Sequence, residues 1–132
     1  MNKDNMNISK VESFMNTLLD DKVSSHTFFG NMIGKESINS EWNDMVLVEV
    51  PNGIYDNDAY AQGTALVTLY ARPLGSGRKN VGVMSTLETK LNEAIESNDS
   101  NTYHVSRRQT YTYYDSDIDW HCNVVEINIL IV

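Results

Sequence analysis

Along residues 64–72, TALVTLYAR, apolar side chains fall at every second position. Ala65, Val67, Leu69 and Ala71 share one face, and Thr64, Leu66, Thr68, Tyr70 and Arg72 share the other. A period of two is the mark of a strand. Pro73 has no N–H to give a ladder, so the strand is expected to stop at Arg72, and Gly75 and Gly77 loosen the loop PLGSGRKN that follows. The period then lengthens to three and four: Met84, Leu87, Leu91, Ala94 and Ile95 recur with Glu88, Lys90, Asn92, Glu93 and Glu96 between them. This predicts a one-sided helix that must lie on a sheet. Ser85 or Thr86 is its expected N-cap, Asn80 the other candidate, and the polar run at 97–101 ends it.

The same reading extends to both sides of this stretch. Ile8, Val11, Phe14, Met15, Leu18 and Leu19 predict a first amphipathic packing helix, with Asn7 or Ser9 available as its cap. Residues 23–44 carry the anchors Phe28, Phe29, Met32, Ile33 and Ile38 in a segment broken by Gly30 and Gly34, which points to a loop or short helical turn. MVLVEV at 45–50 is a compact strand ended by Pro51-Asn52-Gly53. The long connection IYDNDAYAQG precedes the central strand, and connections of that length often serve function or a partner. Residues 103–114 alternate with neither face cleanly apolar, a strand with one face only partly covered. After a turn at 115–119, residues 120–132 return with Val125, Ile127, Ile129 and Ile131 on one side. The order helix, strand, strand, helix, strand, strand predicts a two-layer α+β domain. Both helices should cover one face of an antiparallel or mixed sheet of about four strands.

Composition narrows this further. The 132 residues, 41% hydrophobic and 21% charged, are expected to form a single globular domain, with residues 1–6 as a flexible N-terminal tail. A net charge of −8 argues against broad gripping of phosphate backbones. Cys122 is the single cysteine, so no intrachain disulfide or multi-thiolate zinc site can be built. Neither an apolar leader nor a run long enough to cross a bilayer is evident, which predicts a soluble protein without a membrane partner.

Four features invite a chemical reading. Asp115, Asp117, Asp119 and Glu126 fall at positions one, three, five and twelve of a calcium-loop template, the candidate metal set. Position six, which needs a sharp turn, is Trp120 and not Gly, and Glu126 sits in an alternating strand. A solvated hairpin tip is therefore preferred. His121 and Cys122, as strand neighbours, point to opposite faces and make no nucleophile-base pair. The loop LGSGRKN lacks the Gly-Lys-Ser/Thr of a phosphate cradle and reads as a basic contact loop. No cofactor is expected, and with no nucleophile, base and orienter to line up, an enzyme is the least favoured class. The fourth feature is charge order: Glu36, Glu41, Asp44, Glu49, Asp56 and Asp58 run without a basic residue, whereas Arg72, Arg78 and Lys79 run without an acid, and Arg107 and Arg108 add a second basic spot. Acidic and basic surfaces on one chain suit a head-to-tail contact between copies.

The order of elements, with its central strand TALVTLYAR and helix VMSTLETKLNEAI, resembles the tail terminator (tail completion) proteins of long-tailed bacteriophages and their neck-protein relatives. The similarity covers residues 8–132 as an order of elements and rests on no signature motif. It implies a virion protein, assembled in the host cytoplasm as a homo-oligomeric, usually hexameric, ring that caps the tail tube, meets the neck, and touches DNA only as it passes through a lumen. On this resemblance the loops at 54–62 and 73–80 would carry subunit contacts, and together with the charge layout this gives Tyr55, Asp56, Asp58, Tyr60, Arg72, Arg78, Lys79, Arg107 and Arg108 as the candidate interface residues. The competing expectations are another head-tail connector or neck adaptor, and a monomeric small-ligand or calcium-binding module built on 115–119.

Overall fold

The computed structural model describes residues 1–132. Two helices, α1 (Ile8–Leu19) and α2 (Val81–Glu96), pack on one face of a sheet ordered β1-β2-β4-β6-β5. Its strands are β1 (Thr27–Phe29), β2 (Asp44–Glu49), β4 (Ala61–Ala71), β5 (Tyr103–Asp115) and β6 (Trp120–Ile131), and the two-residue β3 (Tyr55–Asp56) adds to the start of β4. The molecule is mixed α+β with two helices and an open six-stranded sheet, two strands more than the pattern predicted. The four predicted strands are present as β2, β4, β5 and β6. The additional β1 and β3 are too short for periodicity to register.

All neighbouring strands run antiparallel except β1, which pairs parallel to β2 through Thr27↔Val46, Phe28↔Leu47 and Phe29↔Val48. A parallel pair cannot be joined by a tight hairpin and needs a crossover of about a dozen residues. Residues 30–43 are that crossover. They hold one short 3-10 turn (Lys35–Ser37) and otherwise pass as a strap over the sheet face that the helices leave open.

The helix-side core is built from the faces the periodicity marks. Ala65, Val67, Leu69 and Ala71 of β4 and Val125, Ile127, Ile129 and Ile131 of β6 are fully buried against Val11, Met15 and Leu19 of α1 and Met84, Leu87 and Leu91 of α2. Gly63 shares this face, where an added Cβ would stand 2.5 Å from Ile54 Cδ1, so the missing side chain is what lets Ile54 close the layer. On the opposite face Met45, Leu47, Tyr70, Ile118, Trp120 and Cys122 form a second, smaller cluster under the strap, joined by Phe28, Met32, Ile38 and Trp42.

Three local details refine the sequence expectation. α2 begins four residues before Ser85: Asn80 is its N-cap, its Oδ1 accepting from Val83 N–H at 3.2 Å and its carbonyl from Met84 N–H. The cap lies earlier because Val83 and Met84 already face the core and need a helical turn beneath them. β5 carries a bulge, with Arg107 opposite Ile127 and Gln109 opposite Glu126, so Arg108 has no cross-strand partner. The extra residue flips the alternation, and because β5 is exposed from Ser106 to Tyr114, neither face of 103–114 reads as apolar. Residues 1–6, expected as a flexible tail, contain a 3-10 turn (Lys3–Met6) in which Asn5 carbonyl accepts the Tyr103 hydroxyl at 2.8 Å and Met6 rests on the core.

Candidate assembly surfaces

β4 crosses the sheet in eleven residues and sets two loops at its opposite ends, roughly 34 Å apart at the usual rise of a strand. At its start, residues 54–60 make an acidic corner. Asp56 Oδ1 accepts from Asp58 N–H at 2.7 Å, which holds Asp58 at φ 67°, and Asn57 N–H donates to Tyr60 carbonyl. Lys3 Nζ reaches Asp56 at 2.6 Å and Asp58 at 3.4 Å. The Lys3 ammonium, and then the Asp58 N–H, hold the Asp56 carboxyl below its usual range. One lysine facing two carboxylates leaves the corner net negative, with the Asp58 side chain fully exposed and Tyr55 and Tyr60 standing beside it in solvent.

At the far end, the three basic residues of 72–79 separate into different roles. Arg72 turns inward: Nε donates to Trp42 carbonyl at 2.7 Å, an Nη donates to Asn39 carbonyl at 3.0 Å, and the guanidinium lies 4.7 Å from the centre of the Trp120 ring. It clamps the strap and is not offered to a partner. Lys79 Nζ donates to Thr112 Oγ1 at 2.8 Å and Asn123 Oδ1 at 2.7 Å, while Asn123 Nδ2 donates to Glu88 at 2.8 Å. Arg78 alone is exposed with no side-chain partner in the chain. Gly77, at φ 83°, supplies the left-handed turn that presents it, and Leu74 N–H closes the loop on Arg78 carbonyl at 2.9 Å.

The second basic spot also divides. Arg107 donates to Asn92 Oδ1 at 2.7 Å and Thr110 Oγ1 at 2.6 Å and stands 4.0 Å from Glu88. With Lys79 and Asn123 it makes a polar clasp between α2 and the last two strands; Lys79, Glu88, Asn92 and Asn123 of this clasp line a shallow cleft of about 420 Å³. Asn123 and Glu88, central to this clasp, escaped the sequence reading. They sit on elements whose pattern spoke only of packing. Arg108, the bulge residue, projects free into solvent.

The Asp115, Asp117, Asp119 and Glu126 set is not gathered. Asp117 N–H donates to Asp115 Oδ1 at 3.0 Å, Asp119 is ion-paired with Lys35 of the strap, and Glu126 lies up β6 opposite Leu66 and Gln109. No group of three or more His, Cys, Asp or Glu residues stands close enough to hold a metal ion. The tip is a hairpin turn with Asp119 in the left-handed region at φ 59°. It lies at the same end of the sheet as the basic loop, His121 Nε2 sitting 3.1 Å from Gly77 carbonyl. Cys122, on the other face from His121, is buried; burial pushes its thiol up to about 11.

No helix is long and apolar enough to cross a membrane. No protein-family model matches the chain, and neither does any curated protein.

Proposed function

We propose that this chain is a ring-forming structural subunit of a tailed-phage particle, the tail terminator at the head-tail junction, joining to its neighbours head to tail. The observation that carries the reading is the separation of Arg78 from the Asp56-Asp58 corner by the full length of β4. Arg78 and this net-negative corner cannot meet within one chain, so an attraction between them acts between copies. A contact joining two different patches propagates into a ring when its rotation closes. Exposed Tyr55 and Tyr60 flank the acidic patch and supply the aromatic surface that interfaces favour. The resemblance in element order supplies the tail tube and neck as the surfaces such a ring would cap and join.

The test uses Arg78→Glu, because Lys79 also holds the clasp and its loss would disturb the fold. Purified wild-type protein should sediment as a ring and stop the growth of assembling tail tubes. Arg78→Glu should stay folded, lose ring assembly and leave tubes to elongate. Wild-type protein that neither forms a ring nor arrests tube growth overturns the reading, and a ring found at another level of the neck reassigns it to a connector.

A further inference from the structure

β5 is an edge strand thirteen residues long, paired on one side only, with β6. Long bare edges invite a further strand, and proteins usually blunt them with lysine, proline, a bulge or a cover. Here the protection is confined to the first half, where the bulge and the Arg107-Arg108 pair interrupt the ladder. Beyond it QTYTYY (109–114) carries no charge, no proline and no glycine, and is exposed throughout. Tyr111, Tyr113 and Tyr114 remain 46%, 44% and 47% accessible. Threonine and tyrosine are strong strand formers and pair well across strands.

We propose that this edge pairs with the same edge of a second copy, antiparallel about a two-fold axis near Tyr111 and Thr112, joining two sheets into one. The ends of the segment choose the partner and the direction. Arg108 stands free at one end and Asp117, whose carboxylate has no partner in the chain, at the other. Antiparallel self-pairing brings each arginine to the other copy's acidic end, whereas a parallel pair would set like charges together. The two-fold contact is separate from the head-to-tail contact proposed above: it uses neither Arg78 nor the 54–60 corner and stands or falls alone.

Sedimentation of the full-length protein across a wide concentration range, with hydrogen exchange of the 109–114 amides, tests this. A species of twice the chain mass is expected, with those amides protected more as concentration rises. Arg108→Asp and Asp117→Arg, both exposed changes, should each weaken the dimer about tenfold or more, and the double variant should recover most of the loss. Higher oligomers whose 109–114 amides exchange freely overturn the pairing while leaving a ring intact. A dimer without a ring keeps the pairing and removes the ring. A monomer at every concentration overturns it and leaves the edge to a strand of another protein. Failure of the double variant to recover overturns the charge-directed antiparallel arrangement.

Discussion

The two faces of the sheet are closed by different chemistry. On the helix side twenty buried residues interlock, nearly all aliphatic, with helix side chains set into the strand face at regular spacing. On the other side six buried residues, aromatic and sulfur-bearing as well as aliphatic, lie under a strap that has one helical turn. Dispersion and hydrophobic burial hold the first cover without directional aid. The second is held by particular tethers: Arg72 to two strap carbonyls, the Trp42 ring stacked on His26 at 4.2 Å, and the Lys35-Asp119 ion pair. A cover fixed by few polar tethers can open without the fold being lost. Beyond the strap on the same face, Gln62 is exposed and Thr64, Leu66, Asn128 and Leu130 are half-buried.

The contrast can be broken most severely on the helix side. Ile127→Ala removes a fully buried side chain from the centre of β6 and should destabilise the whole domain by about 2–5 kcal/mol. Chemical denaturation should stay a single transition at a lower midpoint, because that face has no part that yields separately. A variant losing only strap signals would mean that the two clusters are one core.

Arg72→Ala strikes the other side and should cost less, about 1–3 kcal/mol, since two strap carbonyls lose their donor and Trp120 loses the cation above it. The effect should be local. Cys122 lies in the cluster beneath the strap with its thiol pushed up to about 11, so alkylation at neutral pH is slow in the native protein. Alkylation should accelerate in Arg72→Ala well before the helices melt. Equal acceleration in Ile127→Ala at matched stability would show global unfolding to be the route, and the strap would not be a separate unit.

The two faces also differed in how legible they were. The helix side could be read because its information is local: alternation named Val67, Leu69, Ile127 and Ile129, and the three-four spacing named Leu87 and Leu91, all of them core. The strap could not, because its tethers join Arg72 to Asn39 and Lys35 to Asp119, far apart in the chain and with no pattern around either partner. The division among the candidate interface residues was hidden for the same reason. Runs of like charge suggested patches, but Arg72, Lys79 and Arg107 look alike in sequence to Arg78 and Arg108, and only the fold decides which are turned inward. Residues 103–114 showed no consistent face because β5 is exposed along most of its length, and nothing in that pattern marked the bulge.

The smallest expected effect is a pH response of the strap. Asp119 has its carboxyl lowered below the usual range, first by Lys35 and then by the Tyr114 hydroxyl. A carboxyl depressed in the folded state adds stability that is present above its unfolded value, near ~3.9, and is lost as pH falls through the lower folded value. Lys35 is raised by the same partner, so its share is present below its unfolded value and lost only as pH rises through the higher folded one. The latch should therefore hold across neutral pH and release in acid, below about pH 4. Both tryptophans report on it, Trp42 packed against the strap cluster and Trp120 buried within it. Their emission should shift in acid before helical circular dichroism falls, and added salt should shrink the shift, because the pair is exposed and screened. Asp119→Asn should show the shifted emission already at neutral pH and lose the acid step. If wild type and variant instead lose tryptophan and helix signals together at one pH, the open face would be as firmly closed as the helix face, and the difference between them would be one of appearance alone.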